Sequence, residues 1–467
     1  MTAARETGPH AEGTLRGHTL RGRFAHAPER GKVEILDDAL LEIDDAGTIA
    51  RVVASGAAAH AEVVEAAERE GRLHTFPSDI TVLPGFIDLH IHAPQYPQAG
   101  LALDAPLEVW LQRYTFPLEA RYADLAFARA VYTRLVRDLL SVGTTTALMF
   151  ATVHTEATEI LIDACLDAGL RAVVGKVAMD DPESCPADCR DASAEAAVAG
   201  TRRVIDYAAR HPANAEGLVA GAITPRFLPS CTDEALQGLG ALAAETGAVV
   251  QTHVSESDWQ HGYAFTRFKR SDAESLDAFG LLTERSVLAH GVYLSDDDLA
   301  LMRGCSASVA HCPHSNAYFA NAVFPLARAM DKGVTVGLGS DISGGPNLSL
   351  LDAQRQAVMV SRMLADGVDP GASRQERATS QAAITWKEAF HCATAAGGDA
   401  LKRPIGRFRA GQAFDAIAVR DPASGDGWPP LPEHGPEDVL ARILYTAARD
   451  DIRQTFVAGR LTHAATG

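Results

Sequence analysis

Leu83-Pro84-Gly85-Phe86-Ile87-Asp88-Leu89-His90-Ile91-His92 decides the architecture. Pro84-Gly85 breaks the texture that precedes it, and the apolar run after it carries histidines at i and i+2. Alternate residues of a strand share a face, so both imidazoles project to one side. If this strand ends at the mouth of a barrel, both point into its functional end. Two same-face histidines buried for structure alone would each need a polar partner.

Downstream, short apolar segments alternate with longer helical patterns as far as about residue 400. The expected strands are 86–90, 144–150, 172–177, 218–223, 249–253, 287–290, 308–311 and 334–339, with helices such as 122–140 and 351–364 between or after them. Continuous apolar strands with helical crossovers indicate a parallel sheet covered on both faces. Eight such units point to an α/β fold with a distorted (β/α)8 TIM-type barrel. An open sheet is the alternative. No glycine-rich phosphate loop follows any strand, which speaks against a dinucleotide-binding version.

Upstream, Lys32-Val33-Glu34-Ile35-Leu36, Ala39-Leu40-Leu41-Glu42-Ile43 and Ile49-Ala50-Arg51-Val52-Val53 are broken by Asp37-Asp38, Asp44-Asp45 and Gly47, and read as antiparallel strands. After Ile405-Gly406-Arg407, strands are expected at 414–419, 443–444 and 452–457, with Pro429, Pro430, Pro432 and Pro436 marking a loop. The two ends therefore pair into a small β-sandwich domain. The expected division is 1–82 and 401–467 for that domain and 83–400 for the barrel.

The chain has 467 residues and a formal charge of −18. That charge opposes nucleic acid and anionic membranes as main partners. The seven cysteines follow no disulfide spacing, and the close pair in Cys185-Pro186-Ala187-Asp188-Cys189 reads as a surface or loop feature. With no signal-like start and no long apolar run, the expected compartment is the cytoplasm.

His253, His290 and Asp341 each close an expected strand, where barrel active sites gather. Alone, each reads as an ordinary polar strand end. His90, His92, His253 and Asp341 together supply three nitrogens and one carboxylate oxygen, a set that suits zinc and leaves room for water. Iron or another divalent ion stays open. Glu256, three residues past His253, can reach a water at the metal without occupying the metal, so a proton-carrying role is expected. His311, in Ala310-His311-Cys312-Pro313-His314-Ser315-Asn316, reads as pocket wall or support behind the ligands, since further ligands would overfill a single-metal site. Thr224-Pro225-Arg226-Phe227 ends the fourth strand without the lysine or acid of a two-metal site. Arg226 is thus free for a polar substrate edge, and Phe227 offers an aromatic surface.

The chain resembles the guanine deaminases of the amidohydrolase superfamily. The resemblance rests on Pro84-Gly85-Phe86-Ile87-Asp88-Leu89-His90-Ile91-His92-Ala93-Pro94-Gln95-Tyr96 and on Leu107-Glu108-Val109-Trp110-Leu111-Gln112-Arg113-Tyr114-Thr115-Phe116-Pro117-Leu118-Glu119. It continues through Thr224-Pro225-Arg226-Phe227, His253-Val254-Ser255-Glu256, Ala289-His290-Gly291, His311-Cys312-Pro313 and Gly339-Ser340-Asp341. It implies one zinc ion per subunit held by His90, His92, His253 and Asp341, with His290 at the metal or bonded to its water or the substrate. It implies Gln95 and Arg226 on the purine's polar edge, Phe227 against the ring, and His92, His253, Glu256 and Asp341 lining the same pocket. It further implies that Glu256, Asp341 and His290 carry the catalysis, and that the chain forms a homodimer. Ser340, Trp259 and the segment Asn316-Ala317-Tyr318-Phe319-Ala320-Asn321-Ala322 depart from the family pattern at the pocket's far wall.

The activity so implied is hydrolytic deamination of guanine to xanthine and ammonia. Deamination of a related ring (8-oxoguanine, a pterin or an aminotriazine) is the nearest alternative, and a catalytically silent interaction protein is the other. The basic and aromatic pattern of a nucleic-acid binder is absent, so a free base is the expected substrate.

Overall fold

The computed structural model describes residues 13–319, 322–424, 431 and 433–465. Pro429, Pro430, Pro432, Ala320 and Asn321 lie outside them. Two sheets organise the chain.

The first sheet joins the chain ends. Its strands are β1 (Thr19–Glu29), β2 (Lys32–Ile43), β3 (Ile49–Val53), β4 (Leu73–Thr75) and β5 (Ile80–Pro84), followed much later by β15 (Ala416–Arg420), β16 (Ile452–Val457) and β17 (Arg460–Ala464). Their order is β17-β16-β15-β5-β1-β2-β3, with β4 beside β1. β5 is the seam, parallel to β1 on one side and antiparallel to β15 on the other. The small domain expected from both ends is thus one curled mixed sheet, closed over Phe24, Phe76, Phe408, Phe414 and Phe456.

The second sheet comprises β6 (Phe86–His92), β7 (Thr144–Phe150), β8 (Arg171–Gly175), β9 (Val177–Ala178), β10 (Val219–Pro225), β11 (Val249–Val254), β12 (Ser286–His290), β13 (Ser308–His311) and β14 (Thr335–Leu338). Every pairing is parallel. β8 and β9 are two halves of one staggered strand, since both pair with β10. The ring closes where Asp341 N donates to His90 O at 2.9 Å and His92 N to Ile342 O at 3.0 Å. This is the distorted barrel expected. Ile87, Leu89, Leu148, Val173, Ala222, Val287 and Ala310 form one buried cluster drawn from successive strands.

β6 contains the irregularity that matters most. Its register against β7 shifts between Asp88 and Ile91. Ile87 and Leu89 pack in the interior cluster, and a regular pleat would send His90 and His92 outward. The bulge inserts one residue and reverses the alternation, so the two histidines turn inward while Ile91 packs outside with Tyr122 and Tyr132.

Several local expectations are corrected. Residues 443–444 are not a strand; they lie in the helix Pro436–Thr446. Proline suits the first helical turn, and Leu440, Ile443 and Leu444 form a buried stripe at helical spacing. The helix expected from residue 122 starts at Leu125, because the Asp124 carboxylate accepts from the Ala126 and Phe127 N–H groups. β2 runs unbroken through Asp37-Asp38, and the helix His60–Arg69 falls within the segment read as strands only. Cys185 lies in a loop and Cys189 ends the short 3-10 helix Ala187–Cys189, but their thiols are buried and donate to Ser230 O and Phe116 O. Among the described residues no helix is long and apolar enough to cross a membrane.

Candidate active site

The C-terminal ends of β6, β11 and β12 and the turn after β14 deliver His90, His92, His253, His290 and Asp341 to one place. His90 Nε2 stands 3.2 Å from Asp341 Oδ1, and His92 Nε2 stands 3.8 Å from the same oxygen. His92 Nε2 and His253 Nε2 face each other at 2.9 Å, their rings nearly parallel. His290 Nε2 lies 3.9 Å from Asp341 Oδ2 and 3.7 Å from Glu256 Oε1. Phe150 backs His90, His92 and His253, with ring centroids 4.8–4.9 Å apart.

The outer nitrogens of His253 and His290 are fixed by protein acceptors. His253 Nδ1 donates to Arg226 O at 2.6 Å, which turns the lone pair of Nε2 into the centre. His290 Nδ1 likewise donates to Asn316 Oδ1 at 2.9 Å. Asn316 Nδ2 approaches His311 Nδ1 at 3.4 Å, so His311 supports His290 from behind instead of joining the ligands.

Burial pushes the pKa values of His90, His92 and His253 well below the ordinary imidazole range, and the neighbouring cationic groups push the same way. All three are therefore neutral and have lone pairs to give. Burial raises the Glu256 carboxyl to about 8, and Asp341 adds to the rise while Arg226 opposes it. A carboxyl so placed holds its proton near neutral pH and can donate it.

A metal ion accounts for what the hydrogen bonds leave over. His90 Nε2 and His290 Nε2, both facing the centre, are buried without a hydrogen-bond partner, and His92 Nε2 and His253 Nε2 meet at 2.9 Å. Ligand atoms of His90, His92 and His253 lie within 4.8 Å of one another, as do those of His90, His290, Cys312 and Asp341. His90 belongs to both groups, so they describe one centre. Neutral imidazoles and a carboxylate are a donor set that zinc accepts, while burial and the nearby carboxylates keep the Cys312 thiol protonated. The residues present fit one zinc ion.

The backbone is forced where the site requires it. His290, Asp341 and Ser255 all adopt positive φ, at 73°, 49° and 43°. Non-glycine residues tolerate this only where their surroundings hold them. Asp272 Oδ2 accepts from both the N–H and the hydroxyl of Ser255 at 2.9 Å, and Gln260 Nε2 donates to His253 O. Together they set the turn that presents Glu256. Asp88 Oδ1 accepts from His90 N and Ser340 N, tying β6 to the strand end that carries Asp341.

The polar edge lies beside the histidines. Arg226 and Gln95 are buried, and both bind Glu119. Phe227 lies 6.4 Å from the His253 ring and 6.0 Å from Trp259, which remains largely exposed. His90, His92, Gln95, Arg226, Phe227, His253, Glu256, His290 and Asp341 thus come to one end of the barrel. Cys312, Glu119, Asp88 and Asn316 were not assigned roles. An acid within an apolar run, as at Asp88, is the one local signal among them. A cleft of about 900 Å³ on the outer helices, lined by Val198, Arg202 and Tyr207, holds none of this chemistry.

A family model described as the amidohydrolase family matches residues 81–462. The probable guanine deaminase of Schizosaccharomyces pombe is 34% identical over 95% of this chain and 84% of its own length. The guanine deaminase of Homo sapiens is 34% identical over 95% of this chain and 96% of its own. The crystal structure of guanine deaminase from C. acetobutylicum, with guanine bound in its active site, superposes with a TM-score of 0.84, at 28% identity, over 95% of this chain and 99% of that one.

Proposed function

From the premise that this chain belongs to the amidohydrolase family, we propose that it hydrolyses guanine to xanthine and ammonia. It is a zinc-dependent hydrolase that deaminates a guanine-like purine ring. The observation that carries the reading is the convergence of a proton-holding Glu256, Asp341 and a zinc-fitting imidazole cluster beside a buried Arg226 and Gln95.

We assign His90, His92, His253 and Asp341 as the residues that hold zinc, with His290 at its side. Bound zinc supplies the Lewis acidity that makes water a nucleophile near neutral pH. The protein's own groups do the rest. Gln95 and Arg226 hold the carbonyl and imidazole edges of the base, and Phe227 packs against the ring. Glu256 donates a proton to N3, which makes C2 electrophilic. Water forms its bond to C2 as Asp341 takes its proton, and His290 Nε2 accepts a hydrogen bond from the new hydroxyl. Asp341 passes its proton to the exocyclic amine, the C2–N bond breaks and ammonia leaves, and the proton of the C2 hydroxyl returns to Glu256 to give the carbonyl of xanthine.

Further assignments rest on the same reading. The small domain takes residues 1–82 and 401–467 and the barrel 83–400. The chain acts on the free base in the cytoplasm as a homodimer, with neither nucleic acid nor membrane as a partner; the free cysteines agree with a reducing compartment. Ammonia release from guanine, measured beside 8-oxoguanine, a pterin and an aminotriazine, tests the proposal. Guanine should be the preferred substrate. No ammonia from guanine with zinc supplied would reject the reading, and preference for another ring would reassign the substrate.

A further inference from the structure

Glu119, on the helix Phe116–Ala120, joins the two side chains assigned to the purine edge, 24 residues from Gln95 and 107 from Arg226 in sequence. Its carboxylate is 5% exposed. Oε2 accepts from Arg226 Nη1 at 2.6 Å, and Oε1 accepts from Arg226 Nη2 at 3.1 Å and from Gln95 Nε2 at 3.0 Å. Gln95 Oε1 takes the Ser343 N–H at 3.4 Å. Flipping that amide would set its oxygen against a carboxylate, so Glu119 fixes which end of Gln95 faces which partner. Phe116, on the same helix, lies 5.3 Å beneath the guanidinium.

The pairing also fixes the charge of the edge. A buried guanidinium without a counter-ion would draw any anion into the pocket. Bound two-to-two by Glu119, Arg226 keeps donors free while its net charge is cancelled. We propose that Glu119 is a specificity-determining positioning residue that makes the recognition edge favour an uncharged purine over an anionic one. The inference rests on the guanine reading above and adds the substrate's charge class to it. A purely structural brace would affect all ligands alike when removed; a charge-setting residue changes their ranking.

The test uses the zinc-loaded full chain, with guanine as substrate and hypoxanthine (uncharged) and urate (a monoanion) as competing ligands. In Glu119→Gln, KM for guanine should rise about tenfold with kcat little changed, as expected when one buried charged hydrogen bond is weakened. Urate should gain about tenfold on hypoxanthine in inhibition, because Arg226 is left uncompensated. In Glu119→Gln/Arg226→Gln the urate-to-hypoxanthine ratio should return to that of the unmodified protein. An unchanged ratio in folded, zinc-loaded Glu119→Gln overturns the inference, as does a ratio still shifted in the double variant. If Glu119→Gln does not fold, the unmodified protein decides. There, urate must inhibit at least about tenfold more weakly than hypoxanthine, and equal or tighter urate binding overturns the inference. Absence of guanine turnover by the unmodified protein would reject the underlying reading, and this inference with it.

Discussion

Glu256 faces His290 at 3.7 Å from a turn held by Asp272 and Gln260. Replacing it with glutamine keeps its shape and removes its exchangeable proton. Glu256→Gln should lower kcat about 10²–10⁴-fold while zinc content and Tm stay unchanged. Steady-state kinetics, metal analysis and a thermal melt check all three. A second residue-scale prediction concerns His26 in the small domain. Burial lowers its pKa to about 4, against attraction from Glu34, with Phe408 N donating to its Nδ1. Unfolded, it titrates near the ordinary imidazole value, about 6.5. Between about 6.5 and 4 the unfolded chain binds more protons, so His26 makes stability fall as pH falls through that window. His26→Asn should therefore lose less stability than the unmodified protein between those pH values in denaturant melts. The convergence of His90, His92, His253, His290 and Asp341 was legible in the sequence because each closes an apolar strand or follows one directly. Glu119 and Cys312 were not, because their meaning depends on partners brought close only by the fold.

At the scale of elements, the strands of the barrel could be read from apolar runs, and the i, i+2 spacing placed His90 and His92 on one face. The bulge in β6 could not, since nothing in Asp88-Leu89-His90-Ile91 marks which residue is the extra one. It follows from packing, which seats Leu89 in the interior cluster and Ile91 against the outer helices at the same time. Residues 443–444 misled for a related reason. Two apolar neighbours fit either period until Pro436 and Leu440 are read with them. Asp88 holds the bulged strand to the end of β14 through His90 N and Ser340 N. Asp88→Ala should weaken zinc affinity about 10–100-fold, as removal of supporting partners behind a metal site does. Competition with a chromophoric chelator measures it, and unaltered affinity would show that the brace is dispensable.

Across the whole molecule, the barrel and the end-built sheet are joined by a buried ion pair. Arg171, at the start of β8, meets Asp415 at 2.8 and 3.0 Å, and Asp415 Oδ1 also accepts from Ala458 N. Asp415→Ala would leave that guanidinium buried without its counter-ion, a loss of about 3–5 kcal/mol. A urea melt should show it, and replacing both partners with leucine should recover much of the stability. That the two ends pair was legible from their matching strand texture, whereas this contact was not, because its partners are 244 residues apart. The closing seam between β6 and the turn after β14 has a consequence for biosynthesis. A ribosome releases His90 and His92 long before Asp341, so the nascent chain carries an unfinished chelate through most of translation. Ring completion therefore waits for residue 341, when 126 of the 467 residues are still to be added.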